Sequence, residues 1–141
     1  MLGHFNSVKD IAISDCLTGS EIRYIASASQ DQNIRIWKIE PLVNADDIVV
    51  VNWEKKFETK SSYVLKLAQD KMYNITLESV IQHHQEAVSS VAWHQEKPEA
   101  GLTDLVLLSS SFDFTVALWK ADADTEAWQI ESTLGALVGN K

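Results

Sequence analysis

The chain has 141 residues, with 20 acidic and 12 basic side chains and a formal net charge of −8. This charge argues against intrinsic binding to a nucleic-acid phosphate backbone, and the single cysteine, Cys16, excludes an internal disulfide framework. Because neither a secretory signal nor an apolar run of membrane-spanning length is visible, we expect a cytoplasmic location, with the nucleus as a second compartment.

The predicted elements are short β-strands, in which large or β-branched residues alternate with small ones. In chain order they span residues 8–13, 24–29, 34–39, 73–81, 88–93, 105–111, 115–119 and 127–133. Tight turns that contain an aspartate separate the second and third strands of each group, at residues 30–33 and 112–114. The pattern therefore predicts eight antiparallel strands in two groups of four.

An internal repeat organises these strands, since residues 25–38 recur as residues 107–120. Each copy contains a serine, an aspartate, a tryptophan and a following lysine at the same offsets, and a histidine precedes each copy. These residues are His4, Ser27, Asp31 and Trp37 in the first copy, and His84, Ser109, Asp113 and Trp119 in the second. Repeats of this kind are typical of arrays in which stacked units bury each other's faces.

The repeat resembles the WD repeat of β-propellers, whose signature is an early Gly-His and a late Trp-Asp. Gly3 and His4 fit the early part, whereas His83 stands at the glycine position of the second copy and a lysine follows each tryptophan. The resemblance implies an all-β fold, namely a partial β-propeller of two four-stranded antiparallel blades.

The same resemblance implies that the histidine, serine, aspartate and tryptophan of each copy form one buried hydrogen-bonded set. The aspartate would accept from the histidine, the histidine would meet the serine hydroxyl, and the serine would accept from the indole N–H. Each buried polar group would then have a partner. We call these the first set (His4, Ser27, Asp31, Trp37) and the second set (His84, Ser109, Asp113, Trp119).

The predicted organisation is a first blade over residues 1–82 and a second blade with a truncated tail over residues 83–141. Propellers typically have about four to eight blades, so we expect this chain to be a piece of a longer protein or a truncated gene product. Two blades alone would expose two broad apolar faces and unpaired strand edges.

The first blade carries a long insertion at about residues 40–72. It begins with an acidic stretch, continues with the apolar stretch 48–53, and then has a mixed-charge run at 54–60. Residues 48–53 are too apolar for a disordered linker. We expect either an added hairpin strand that packs on its own blade or a partner-binding element, because long loops in compact folds are often functional.

Over nearly its whole length the chain is also similar to the family of Elongator second subunits. The similarity is carried by residues 26–38, 77–80, 88–94, 107–113 and 118–128, with Ala121 where that family usually has proline and Ala127 where it usually has glycine. The resemblance implies a non-catalytic scaffold in an Elongator-type complex that modifies wobble uridines of transfer RNA. Its partners would be the largest scaffold subunit and the catalytic subunit. The alternative is a WD-repeat interaction module of another assembly, such as a ubiquitin-ligase receptor or a chromatin adaptor.

Metal binding is the first chemical function that the sequence argues against. The possible zinc ligands are His83, His84, His94 and Cys16. They lack the paired Cys-x-x-Cys or His-x-x-x-His spacing that is typical of zinc sites. We therefore predict no metal site.

Catalysis has equally little support in the sequence. The serines at 109–111 lack a glycine-flanked nucleophile elbow, and Asp122 and Asp124 lie in a short connection where acidic turn residues are common. The five glycines form no phosphate-binding loop. We expect no enzymatic activity, no catalytic residue, no cofactor, and no direct contact of this segment with nucleic acid or a membrane.

Overall fold

The computed structural model describes residues 3–17, 19–42, 62–67, 71–95 and 104–135. Within these ranges the chain forms nine strands: β1 (Val8–Ile13), β2 (Arg23–Ser29), β3 (Asn33–Pro41), β4 (Ser62–Lys66), β5 (Met72–Gln82), β6 (Val88–Gln95), β7 (Leu105–Ser111), β8 (Thr115–Ala121) and β9 (Trp128–Gly135). No helix in the described ranges is long and apolar enough to cross a membrane.

The strands form two antiparallel sheets. The first has the order β1-β2-β3-β5-β4 and the second the order β6-β7-β8-β9. Each sheet contains the strands of one copy of the repeat, and matching strands occupy matching places. This arrangement confirms the predicted fold class, an all-β partial propeller of two stacked blades.

The first sheet differs from the prediction because it has five strands rather than four. The additional strand, β4, belongs to the insertion and pairs with β5 from Ser62 opposite Thr76 to Lys66 opposite Met72. The Leu67 N–H donates to the Lys71 carbonyl at 2.8 Å at the end of this hairpin. β5 is long enough to pair with β3 on one edge and β4 on the other. The stretch 48–53, for which we expected a strand or a partner-binding element, lies outside the described residues.

The two sheets stack through a core to which both contribute small and large side chains. Ala26 and Ala28 are fully buried and lie in one hydrophobic core with Leu107 and Trp119 of the second sheet. Because alanine side chains are short, the second sheet can approach closely enough to exclude water from the facing surfaces. The core consists of Tyr24, Ala26, Ala28, Ile34, Ile36, Ile81, Val88, Val91, Leu105, Leu107, Ala117 and Trp119.

Hydrogen bonds between β1 and β6 fix the relative position of the sheets. The Asp10 carboxylate accepts from the Ser90 hydroxyl at 2.5 Å and from the Val91 N–H at 3.0 Å. The Trp93 indole N–H donates to the Ala12 carbonyl at 3.1 Å. The Ser90 hydroxyl, followed by the Val91 N–H, holds the pKa of Asp10 below its ordinary value, because both donate hydrogen bonds to the ionised carboxylate.

The opposite face of each sheet is left open to solvent. Successive side chains on a strand point to opposite faces, so Ile11 and Ile13 point away from the second sheet, and they are 60% and 56% exposed. On the second sheet, Leu134 of β9 is 58% exposed opposite Val116. Exposed apolar faces of this kind are normally covered by a further unit of the array.

We expect the isolated 141-residue chain to self-associate in solution, because association would cover these open faces. Size-exclusion chromatography with light scattering should show species larger than 15.8 kDa. The double change Ile11→Ser and Ile13→Ser should reduce association, whereas Phe114→Ser, in a turn, should not. A monodisperse monomer that unfolds cooperatively would contradict the partial-propeller interpretation.

Candidate functional site

The second set forms a continuous chain of hydrogen bonds. His84 Nδ1 lies 3.0 Å from Asp113 Oδ2, and His84 Nε2 lies 2.8 Å from Ser109 Oγ. The Trp119 indole N–H donates to the same Ser109 oxygen at 2.9 Å. An ionised carboxylate can only accept, so Nδ1 carries the histidine proton, Nε2 accepts from the serine hydroxyl, and the serine oxygen accepts from the indole. Every polar atom of this buried chain has a partner.

Asp113 also organises the turn between β7 and β8. Its carboxylate accepts from the N–H groups of Gln85 and Thr115, each at 3.0 Å, and from the Thr115 hydroxyl at 2.6 Å. Burial raises the pKa of Asp113, but the hydrogen bonds from Thr115, Gln85 and His84 outweigh burial and hold that pKa well below its ordinary value. The same carboxylate thus fixes the turn and the segment that leads into β6.

The structure brings together three members of the first set in the same way. His4 Nδ1 lies 2.9 Å from Asp31 Oδ2, and His4 Nε2 lies 2.8 Å from Ser27 Oγ. The N–H groups of Phe5 and Asn33 donate to the Asp31 carboxylate at 2.9 and 3.0 Å. Burial raises the pKa of Asp31, but these backbone hydrogen bonds and the His4 ring hold it below its ordinary value.

Trp37, the fourth member, is not joined to this set. No hydrogen bond connects Trp37 to Ser27 among the residues that the structure describes. Arg35 instead lies beside the set, with Nη1 3.8 Å from Asp31 Oδ2, and its side chain is buried although its Nε has no partner in the described part of the chain. The guanidinium also lies over the Phe5 ring, 5.7 Å from its centroid.

The faces of the sheets explain why the two sets differ. Ser109 and Trp119 lie on the face of the second sheet that the first sheet covers, and Trp119 is 4% exposed. Ser27 pairs with Ile11 and Arg35, so it lies on the opposite, open face of its own sheet. No stacked sheet covers that face within the described chain, and Trp37 is accordingly only half-buried.

Three contributing residues were missed by the sequence reasoning. Arg35 occupies the place that Ala117 has in the second copy, and strand alternation alone puts it on the face of Ser27. Thr115 follows Asp113 by two positions, a spacing at which a carboxylate often accepts from the backbone in a turn. His83 packs edge-on against Trp119, with ring centroids 5.3 Å apart. Gly3 stands at the same position of the first copy and has no side chain that could make this contact.

The second set has the connectivity of a Ser-His-Asp triad, but its environment differs from that of an active site. A catalytic serine must reach a substrate carbonyl beside preorganised N–H donors. Ser109 is 1% exposed, and its oxygen already accepts from Trp119. This arrangement links strands and turns and leaves the hydroxyl no room for acyl transfer.

The other residues with possible chemical roles lie apart from each other. Cys16 borders a cleft of about 370 Å³ at the end of the first sheet, together with Leu65 and Tyr73, whereas His94 lies on β6 of the second sheet. Asp122 caps its own loop, because its carboxylate accepts from the N–H and then the hydroxyl of Thr125, which lowers its pKa. Among the described residues, no three histidine, cysteine or acidic side chains are placed to hold a metal ion.

We expect Asp113→Ala and Asp31→Ala each to lower the free energy of unfolding by about 1–3 kcal/mol, because each change leaves a histidine and two backbone N–H groups without an acceptor. Thermal or denaturant unfolding of the full-length protein, in which the neighbouring blades are present, checks this, with the exposed Asp124→Ala as the matched control. If both variants melt like the parent, the two sets do not stabilise the blades as the geometry indicates.

The low pKa of Asp113 also predicts a pH dependence. A depressed carboxyl pKa contributes stability that is complete above the ordinary value of about 3.9 and is lost as the pH falls toward the folded-state value. The stability difference between the parent and Asp113→Asn should therefore be constant near neutral pH and shrink below about pH 4. Denaturant titrations at a series of pH values measure it; an equal difference at pH 7 and pH 3 would rule out this role of the carboxylate.

Comparison with known proteins agrees with the repeat and the geometry. The family described as "WD domain, G-beta repeat" matches residues 1–38 and 75–120. The chain is 31% identical to Elongator complex protein 2 of Drosophila melanogaster, over 99% of the chain and 17% of the relative. It is 32% identical to the human protein of that name, over 83% of the chain and 14% of the relative. It is 33% identical to the Arabidopsis thaliana protein of that name, over 74% of the chain and 13% of the relative.

These similarities confirm the predicted resemblance to Elongator second subunits, and the chain spans less than a fifth of the length of these relatives. The two matched ranges include β1, β2 and most of β3 of the first sheet and β6, β7 and most of β8 of the second, which are the strands that carry the two copies of the repeat. By its repeats, its stacked antiparallel sheets and this match, the chain belongs to the WD-repeat family.

Proposed function

We propose that this chain is part of an Elongator second subunit and that it serves as a non-catalytic scaffold in a complex that modifies wobble uridines of transfer RNA. The observation that carries the proposal is the similarity to Elongator complex protein 2 over 99% of the chain, which includes the insertion as well as the repeats. A match confined to the repeats would support only the general family.

The geometry of the second set supports a scaffold role. The residues that could perform chemistry, His84, Ser109 and Asp113, are used to tie a turn and a leading segment to two strands. Hydrogen bonds that satisfy buried polar groups make a structure rigid. A rigid blade holds its turns in fixed positions, which is what a surface for several partners requires.

The proposed partners are the other Elongator subunits, namely the largest scaffold subunit and the catalytic subunit, and the proposed location is the cytoplasm and the nucleus. Exposed aromatic side chains in the turns support a contact role, since Phe5, Phe112 and Phe114 are 69%, 62% and 80% exposed. Phe114 also has a positive φ of 67°, which is unusual for a bulky residue. Exposed aromatic residues are enriched at protein interfaces.

Loss of the gene should deplete 5-carboxymethyl-type wobble uridines, and so should Trp119→Ala in the full-length protein, because that change removes a large side chain from the core between the blades. Mass spectrometry of transfer RNA nucleosides measures the modification. His94→Ala and Asp124→Ala are the matched controls and should leave it intact.

The same strains should be tested by affinity purification of the tagged full-length protein. We expect co-purification with the catalytic Elongator subunit in the parent and its loss in Trp119→Ala. Two outcomes would contradict the Elongator proposal: normal wobble modification in a verified null strain, or a parent protein that never co-purifies with that subunit. Either would leave the general WD-repeat interaction module as the remaining proposal.

A further inference from the structure

A cleft of about 340 Å³ opens where the outer parts of the two sheets meet. One wall comes from β2, β3 and β5 of the first sheet, and the other comes from the connection between β8 and β9. We call this the interblade cleft; its lining residues are Tyr24, Lys38, Glu78, Ser79, Thr125, Glu126, Ala127 and Trp128. Its volume lies within the range of roughly 300–1,000 Å³ that is usual for ligand sites.

The interblade cleft carries an excess of negative charge. Its only lining cation among the described residues, Lys38, forms an ion pair with Glu40 at 2.9 Å. Glu78 and Glu126 come from opposite walls, and neither has an ion-pair partner in the part of the chain that the structure describes. Two exposed glutamates therefore line the cleft, and the lysine that lines it with them is already paired with Glu40.

The floor of the interblade cleft is aromatic and contains an unused polar group. Tyr24 is 6% exposed and lines the cleft, and its hydroxyl is not one of the fully buried polar atoms without a partner. The Tyr24 ring lies 6.4 Å from the Trp93 ring, which in turn lies 5.3 Å from the ring of Trp128. The Tyr24 hydroxyl forms no hydrogen bond within the described residues, so it is available to a ligand that enters the cleft.

The protonation state of Tyr24 also agrees with a ligand that donates hydrogen bonds in the cleft. Burial, and then the negative charges of Glu78, Glu126 and Glu40, raise the pKa of Tyr24 to about 12. The phenol thus remains neutral at physiological pH, and its oxygen can accept a hydrogen bond. The negative charges of Glu78, Glu126 and Glu40, which disfavour a phenolate, would favour a cation bound in the cleft.

We propose that the interblade cleft binds the guanidinium group of an arginine side chain presented by a partner protein. The carboxylates of Glu78 and Glu126 would accept charge-assisted hydrogen bonds from opposite sides, and the Tyr24 oxygen would accept another. The flat guanidinium would stack against the aromatic wall at Trp128. A lysine ammonium is more compact and more strongly hydrated than a guanidinium. It would therefore reach the separated acceptors less well and would not stack flat against the aromatic wall.

A protein partner is favoured over a free metabolite because the interblade cleft lies at the outer edge of the blades, where exposed glutamates form its rim. Arginine and aromatic residues are both enriched at protein interfaces. The proposal stands on the cleft alone and does not depend on membership of an Elongator complex.

The test is a titration of the full chain with N-acetyl-arginine amide, a blocked arginine that imitates a residue within a polypeptide. Binding is followed by fluorine NMR of 5-fluorotryptophan-labelled protein, with the Trp128 signal assigned from Trp128→Phe. N-acetyl-citrulline amide has nearly the same shape without the charge and is the matched control probe. We expect a saturable shift of the Trp128 signal with the arginine probe and no saturable shift with the citrulline probe.

Glutamine variants test which carboxylates accept hydrogen bonds from the arginine probe. Glu78→Gln and Glu126→Gln should each weaken binding of the arginine probe by roughly a factor of five or more, whereas Glu86→Gln, at an exposed position outside the cleft, should leave it unchanged. Equal shifts with both probes, or unchanged binding in both cleft variants, would overturn the proposal. Tighter binding of free arginine than of the blocked probe would also overturn it, by indicating a metabolite site.

Discussion

The hydrogen-bond chain from Asp113 through His84 and Ser109 to Trp119 is the interaction on which the second blade depends. It joins a turn, the segment before β6, and the strands β7 and β8. Its direction is set by chemistry, since the carboxylate can only accept and the indole can only donate. Removing one member leaves the others as buried polar groups without partners, and such groups cost more free energy than an isolated hydrogen bond contributes.

The first blade shows how much this chain depends on its surroundings. Its histidine, serine and aspartate meet as in the second blade, but they lie on the open face of the sheet. Arg35 takes the place of the small Ala117 and pairs with Asp31, and Trp37 remains half-buried. The same four residue types at the same offsets therefore give a closed network only where a neighbouring sheet covers them.

The proposed scaffold role agrees with where the polar and aromatic side chains of the described residues lie. His84, Ser109 and Asp113 are hydrogen-bonded to one another and to the chain around them, whereas aromatic side chains project from the turns and two exposed glutamates line the interblade cleft. The cleft lies between the two sheets, which the Asp10, Ala12 and Trp93 contacts and the shared core hold together. The stacking that stabilises the blades thus also builds the site at their boundary.

The sequence by itself determined the strand pattern and the two repeat units, because repeat offsets and strand alternation are local properties. The meeting of His84, Ser109 and Asp113 was implied by the resemblance to the WD repeat. For residues 48–53 of the insertion the sequence left open a strand or a partner-binding element, and it did not predict the strand Ser62–Lys66 that pairs with β5. The absence of Trp37 from the first set and the assembly of Tyr24, Glu78 and Glu126 around one cleft were decided only by the tertiary structure. Both depend on which face of a sheet is covered by its neighbour, and no local pattern of residues specifies that.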